Sequence, residues 1–427
     1  MDLPRGMKDF ENLEIQKIEY IREHFIQTAN TFGFELMEPS PIELMSVIEA
    51  KSGPTIRDDV YFFNDKGDRE VSLRFDFTVG LTRYIAGQKS MKLPAKISAF
   101  GGVWRYDEPQ KGRYRFFHQW DIEIFGKQNT ETDAEIIEFT SKFFSNLGLE
   151  NIILSISHRK ITQSYISSLF ESGNSETISD ILRAIDKIQK KSEQEIISEY
   201  EKKGYLKEKL EKIIEFSKLK GSPDEISKKF DTTQFENWTE LTSLFESLKN
   251  RNVNNIQIDF GIVRGLDYYS GIVFEAFDKN FDIGALVGGG RYDNLPSVFG
   301  RDDLGATGVA GGVERIILSL ENQNSSFLQK TNRVSVLYVN EEMKSNAIKI
   351  TSILRENSIP TDIDLSGRAL KKQMEQSTNS KFVIIVGPDE FSKNMVVVRN
   401  MSDRTENKIL ISNLLEYVKK ILNAKML

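Results

Sequence analysis

The run Ile258 to Tyr269, IDFGIVRGLDYY, places one arginine and two adjacent tyrosines in a short, otherwise apolar stretch. Gly265 lets a strand bend there, so Arg264, Tyr268 and Tyr269 can converge on one pocket. An arginine is always charged and forks onto phosphate or carboxylate oxygens. Taken alone, the segment fits an aromatic edge strand with a solvated arginine equally well. Two further pairs have chemistry-bearing spacing. Asp76 and Thr78, two apart on an extended segment, share a face, as do Gln119 and Glu123, four apart on a strand. With no cysteine and only three scattered histidines, His24, His118 and His158, the chain offers neither a thiolate nucleophile nor a zinc site. Any divalent metal is then expected to be oxygen-ligated and to arrive with a phosphate ligand.

That arginine–tyrosine run and six further elements in order carry a family resemblance. Ile258–Tyr269 resembles the histidine-specific signature of histidyl-tRNA synthetases. Phe34 to Glu43, FELMEPSPIE, resembles the first class II synthetase motif, and Leu73 to Thr78, LRFDFT, the family's amino-acid-binding loop. Trp104 to Arg115, WRYDEPQKGRYR, with Gln119 to Glu123, QWDIE, resembles the second motif and the element that follows it. Arg291 to Asp293 in GGGRYD resembles a second histidine-specific block, and Gly308 to Arg315, GVAGGVER, the third class II motif. One such match would be weak; six in the right order are not.

The resemblance implies activation of histidine by ATP and transfer to tRNA(His). Activation brings a carboxylate against the α-phosphate of ATP, two anions that repel unless fixed positive charges hold them together. By resemblance, Arg105 binds the α-phosphate and the substrate carboxylate, and Arg113 and Arg315 hold the bent triphosphate. Arg264 lies opposite, where charge builds up in the transition state and within reach of histidine. Asp107 is expected near the adenine amino group. Asp76 and Thr78, with Gln119, are implied in holding the substrate ammonium, and Phe77 between them in binding histidine. Glu123 and Tyr269 would read the two ring nitrogens of the imidazole, with Tyr268 and Tyr292 closing the pocket. Asp76 and Asp107 stand where glutamates are frequent in the bacterial form, which matches the archaeal and eukaryotic style. ATP with Mg²⁺ and no zinc are the implied cofactors, and a homodimer joined through the first motif is the implied assembly.

The elements that must position these residues follow from patterning. Residues 10–31 carry Ile15, Ile18, Ile21 and Phe25 at helical steps and end at Gly33. Short β-rich runs, 96–104 and 116–125, precede a helix at 131–147 and a strand at 152–156. From about 160 to 250 the texture turns Lys/Glu/Ile-rich and glycine-poor, which reads as a helical insertion. β-texture returns at Ile256 and runs through the glycine-rich 284–312 region into a helix at 313–321. Its spacing lacks the G-x-G-x-x-G of a dinucleotide site, so close backbone approach between strand, helix and ATP is the expected role. Asn322 to Asn332, NQNSSFLQKTN, reads as a linker. Beyond it, alternating strands and helices predict an α/β domain with a mostly parallel sheet and no phosphate loop. By resemblance this domain binds the anticodon.

The expected architecture is therefore an α+β catalytic domain over 1–325, an antiparallel class II sheet flanked by helices with the insertion at about 160–250, followed by an anticodon-binding α/β domain over 333–427. The 427 residues exceed one compact core, and 39% hydrophobic with 28% charged residues describe an ordinary globular protein without a membrane span. The N-terminus, MDLPRGMKDF, lacks an apolar signal core, so a cytoplasmic location is expected. A net charge of −6 argues against a nucleic-acid partner, since such domains are usually basic, but a local basic face is enough to track a phosphate backbone. The rivals are the regulatory subunit of ATP phosphoribosyltransferase, expected to lack the C-terminal domain and the ATP-binding arginines, and a class II synthetase for another amino acid.

Overall fold

Over Gln119–Ile124 the side chains alternate: Trp120, Ile122 and Ile124 are apolar and fully buried, while Gln119, Asp121 and Glu123 are polar. A strand sends alternate residues to opposite faces, so this segment divides a core from a polar face. The computed structural model describes residues 2–109, 114–170, 174–188, 191–263, 268–323 and 333–423, and every count below is of these residues. The chain divides into two compact units, Met1–Leu328 and Gln329–Leu427.

The first unit holds strands β1 (Glu35–Leu36), β2 (Ile42–Leu44), β3 (Phe62–Asn64), β4 (Glu70–Leu73), β5 (Ala95–Trp104), β6 (Phe116–Gly126), β7 (Ile152–His158), β8 (Lys220–Gly221), β9 (Ile256–Asp259), β10 (Ile272–Asp278), β11 (Val287–Arg291) and β12 (Gly305–Gly312). Its helices are α1 (Asn12–Thr31), α2 (Met45–Ser52), α3 (Thr78–Gly87), α4 (Thr130–Asn146), α5 (Arg159–Leu169), α6 (Ser175–Ile188), α7 (Glu193–Glu201), α8 (Lys207–Ser217), α9 (Pro223–Lys229), α10 (Trp238–Asn250), α11 (Asn294–Val298) and α12 (Val313–Gln323). Nine strands form one sheet in the order β1-β5-β6-β12-β11-β10-β7-β9-β8. The six from β5 to β7 in that order are antiparallel neighbours. The β1–β5 and β7–β9 pairs are parallel. A small antiparallel sheet, β2-β4-β3, stands apart from it.

Helices α1 and α4 cover the apolar side of the large sheet. Ile18, Ile21, Phe25 and Ala29 of α1 recur at helical steps and are buried. Phe139 and Phe143 of α4 meet Trp120, whose ring centroid lies 5.0 Å from that of Phe143 in an edge-to-face arrangement. Asn129 caps α4 by accepting from the Glu131 and Thr132 amides. Between β7 and β9 the chain is helical, α5 to α10, apart from the two-residue β8. Ser192 and Ser222 start α7 and α9 with capping boxes to Glu195 and Glu225. Arg251, just past α10, returns to α4 by pairing with Glu131, Glu135 and Glu138 at 2.8, 3.0 and 2.6 Å.

The second unit comprises β13 (Val334–Tyr338), α13 (Glu341–Glu356), β14 (Thr361–Ile363), α14 (Leu370–Gln376), β15 (Phe382–Val386), α15 (Pro388–Phe391), β16 (Met395–Asn400), β17 (Glu406–Leu410) and α16 (Leu414–Asn423). Its sheet runs β14-β13-β15-β16-β17. The first three strands are parallel, but β16 and β17 are antiparallel, so the sheet is mixed rather than mostly parallel. Strand β17 has no apolar pattern in the sequence because it is a largely exposed edge, ENKIL.

Candidate active site

The polar face of β6 floors a cavity of about 320 Å³. Gln119 and Glu123 both line it, in keeping with their spacing. Arg105, one residue past β5, enters from the side. Its Nε donates to the Phe75 carbonyl at 2.9 Å and its Nη2 to Gln119 Oε1 at 3.0 Å. Its guanidinium also lies over the Phe117 ring, 5.2 Å from the centroid. Gln119 Nε2 then donates to Asp121 Oδ2 at 3.3 Å, and Thr78 Oγ1 donates to the same oxygen at 3.4 Å. Asp121, fully buried beneath the cavity, thus sets the orientation of Gln119 and Thr78.

Asp76 and Thr78 both line the cavity, though not from an extended segment. Thr78 is the first residue of α3, and Asp76 Oδ1 accepts from the Val79 amide at 3.2 Å. An acidic side chain at a helix start satisfies an amide that has no intrahelical partner. The turn also sends Phe77 the other way. Its side chain is fully buried among Leu81, Ile85 and Val103, with Arg74 stacked over its ring, so it does not face the cavity. Phe75 lines the cavity instead.

Tyr268, Tyr269 and Tyr292 form an aromatic wall. The first two rings are 4.3 Å apart and tilted by 35°, and Tyr268 meets Tyr292 at 6.1 Å, edge to face. The Tyr292 hydroxyl donates to Glu123 Oε2. Burial, reinforced by the Glu123 charge, holds this phenol well above its ordinary pKa, so it remains a donor at neutral pH. Glu123 reaches its place only because its cross-strand partner is Gly308. A Cβ built at Gly308 would fall 1.5 Å from Glu123 Oε2.

Asp107 lines the cavity, and its carbonyl accepts from Arg115 Nε at 3.2 Å. Arg115 is buried, its guanidinium 3.8 Å from the Tyr106 ring centroid, and it supports this loop without having been singled out in the sequence. Arg315 is half-buried in the first turn of α12 and is not among the lining residues. Its Nη1 donates to the Ala285 carbonyl at 2.7 Å. Its neighbour Glu314 accepts from both the amide and Nδ1 of His118. Arg113 and Arg264 lie outside the described residues. A shallower depression between Glu131, Glu246 and Arg251 is a surface groove whose arginine is already paired.

In chemical terms the cavity combines carboxylates at Asp59, Asp76, Asp107 and Glu123 with one fixed guanidinium, that of Arg105, among its described lining residues. Such a set can hold an ammonium, a ring N–H and a carboxylate or phosphate at once. Among the described residues no group of three or more His, Asp or Glu is disposed to hold a metal ion.

The family profile for histidyl-tRNA synthetase matches residues 6–316, which span this whole site, and that for an anticodon binding domain matches residues 333–421. A histidine–tRNA ligase of Pyrococcus furiosus is 35% identical over 429 residues, covering 98% of each chain. That of Sulfurisphaera tokodaii is 31% identical, again over 98% of each chain. The crystal structure of histidyl-tRNA synthetase from Nostoc sp. PCC 7120 is similar with a TM-score of 0.82 at 25% identity, over 98% of this chain and 99% of that one. With a class II catalytic fold, an α/β anticodon-binding unit and relatives alike from end to end, the chain belongs to the histidyl-tRNA synthetase family.

Proposed function

We propose that the cavity holds histidine and the α-phosphate of ATP side by side, and that this is where the histidine–tRNA ligase reaction of the family begins. In that reaction a histidine carboxylate oxygen bonds to the α-phosphorus while the bond to the β-phosphate breaks and pyrophosphate leaves. The adenylate then passes its histidyl group to the 3′ end of tRNA(His), releasing AMP. The observation that carries the reading is the pairing of Glu123 with Tyr292 at one end of the cavity and Arg105 at the other. A buried carboxylate held by a phenol is poised to accept an imidazole N–H, and the Tyr269 hydroxyl supplies a partner for the second ring nitrogen. Asp76, Thr78 and Gln119 would receive the ammonium, and Arg105 the carboxylate and α-phosphate. Arg264 and Arg113 keep the phosphate roles implied by the resemblance. Arg315, whose Nη1 donates to the Ala285 carbonyl, keeps the triphosphate role implied by the resemblance through its remaining N–H donors. Mg²⁺ enters with the ATP phosphates, which supply most of its ligands, with at most one or two carboxylates of the chain.

Two further assignments belong with this one. Ile42, Leu44 and Phe63 share one face of the small sheet and are each 44–47% exposed, and this apolar face beside the first motif supports a homodimer. No described helix is long and apolar enough to cross a membrane, and a cytoplasmic place of action is part of the proposal.

The test is exchange of labelled pyrophosphate into ATP with each of the twenty amino acids. Histidine and Mg²⁺ should both be required. Other amino acids should be rejected by a factor on the order of 10⁴, because they bring no imidazole N–H to the buried carboxylate of Glu123. Comparable exchange with any other amino acid overturns the assignment.

A further inference from the structure

On β11 and just past it, Gly288 and Tyr292 face the cavity, whereas Arg291 points through to the helical side of the sheet. There Arg291 is buried and forks between two elements. One arm pairs with Asp133 at the start of α4, and Nη1 lies 2.7 Å from Glu240 Oε1 on α10 of the insertion. Glu240 Oε2 is 3.1 Å from Nε2 of His158, the fully buried last residue of β7. The Lys160 amide donates to His158 Nδ1 at 3.2 Å, which leaves Nε2 to carry the proton toward Glu240. None of these four side chains lines the cavity.

The same arginine supports the tyrosine segment from behind. Gly271 follows Tyr269 by two residues, and a Cβ built there would lie 3.2 Å from Arg291 Cδ and 3.4 Å from its Nε and Nη1. The Ser270 amide donates to the Arg291 carbonyl at 2.8 Å, and Ser270 Oγ donates to Asp293 Oδ2 at 2.8 Å. The Gly271 carbonyl accepts from the Arg159 amide at 2.9 Å. Backbone and side chain of the 291–293 segment therefore fix the residues that immediately follow the tyrosine pair.

We infer that Arg291 is a positioning residue for the Tyr268–Tyr269 wall. Its stem is the surface on which Gly271 rests, and its fork to Asp133 and Glu240 holds that stem still. The insertion, through Glu240 of α10, thereby sets the geometry of a pocket it does not line. This rests on the assignment of the cavity to histidine. Misplacing a binding wall by a fraction of an ångström weakens the ligand that touches it and spares the ligand that does not.

The test is a set of three variants in the full-length protein, assayed by pyrophosphate exchange with thermal unfolding alongside. Gly271→Ala leaves every charge in place and pushes on the Arg291 side chain, at Cδ, Nε and Nη1. It should raise the histidine KM roughly tenfold while the ATP KM stays within about twofold. Arg291→Lys keeps the charge but cannot fork to both carboxylates, and should give the same split. Tyr269→Phe tests the pocket itself and should also raise the histidine KM. A raised KM in Tyr269→Phe with unchanged histidine KM in folded Gly271→Ala and Arg291→Lys overturns the inference alone. Equal loss toward histidine and ATP in those two variants also overturns it. Unchanged histidine KM in all three overturns the pocket assignment with it.

Discussion

The carboxylate of Glu123 sits where a side chain on the neighbouring strand would otherwise be. Its position is as much a property of Gly308 as of Glu123 itself. Gly308→Ala should therefore displace the Glu123 carboxylate, while also pressing on the Ile122 carbonyl, 2.6 Å from the added Cβ. We expect a loss of about 2–3 kcal/mol, roughly 30- to 150-fold in kcat/KM for histidine, with ATP KM little changed. Steady-state exchange kinetics measure this, and normal histidine use by a folded Gly308→Ala protein would sink it. Glu123→Gln, which keeps the shape and removes the charge, should fall in the same range. At this scale the sequence was readable wherever a side chain has its chemistry in its own type. The paired faces of Gln119 and Glu123 followed from a period of two. Gly308 was legible only as a place of close approach, because what approaches it lies on another strand. Asp121 and Arg115 act by orienting neighbours, and nothing in their local spacing says so.

Among elements, the insertion is tied to the sheet by charges that water would otherwise keep apart. Glu240 is held at about 2, below its ordinary 4.5, chiefly by the hydrogen bond from His158 and further by Arg291. A carboxyl depressed on folding contributes stability in full above its unfolded pKa, and that contribution is lost as pH falls through the folded one. Glu240→Gln should thus be less stable than the parent near pH 7 by about 1–2 kcal/mol. That figure is set below the value for a fully buried pair because a quarter of the Glu240 side chain stays in water. The deficit should shrink from about pH 4.5 downward toward pH 2, as read from urea unfolding midpoints. A deficit independent of pH would assign the effect to packing. Element boundaries came through the sequence where apolar periodicity was strong, as in α1, β5, β6 and the C-terminal βα units. The start of α3 did not, because Phe77, Thr78 and Val79 favour extended backbone and only Asp76 at the turn opposes them.

For the whole molecule, the buried apolar clusters segregate by unit. One set draws on Ile18 through Leu320 and another on Val334 through Val418, with no member in common. Cleavage within 324–332 should therefore leave two soluble pieces. The first should form histidyl-adenylate at close to the full-length rate but charge tRNA poorly, and the second should fold without it. Equal charging by the fragment and the full chain would remove the C-terminal unit from tRNA recognition. Loss of adenylate formation would show that the first unit needs the second. Lys371, Lys372, Lys393 and Arg399 are the basic positions to test there, by the steepness with which salt weakens tRNA binding.

The interleaving of β6 with β12 also has a temporal side. Glu123 and the Tyr292 hydroxyl that engages it are 169 residues apart, and His118 and Glu314 are 196 apart. Between them the ribosome must deliver the entire insertion, whose helices α6 to α8 pack on near neighbours in the sequence. During synthesis those helices can settle while β6 still lacks its partner strand on the side of the cavity. A nascent chain stopped before Gly308 therefore lacks the strand that pairs with β6 beside Glu123. If the cavity takes histidine as proposed, free histidine should stabilise the chain only after that strand has left the exit tunnel.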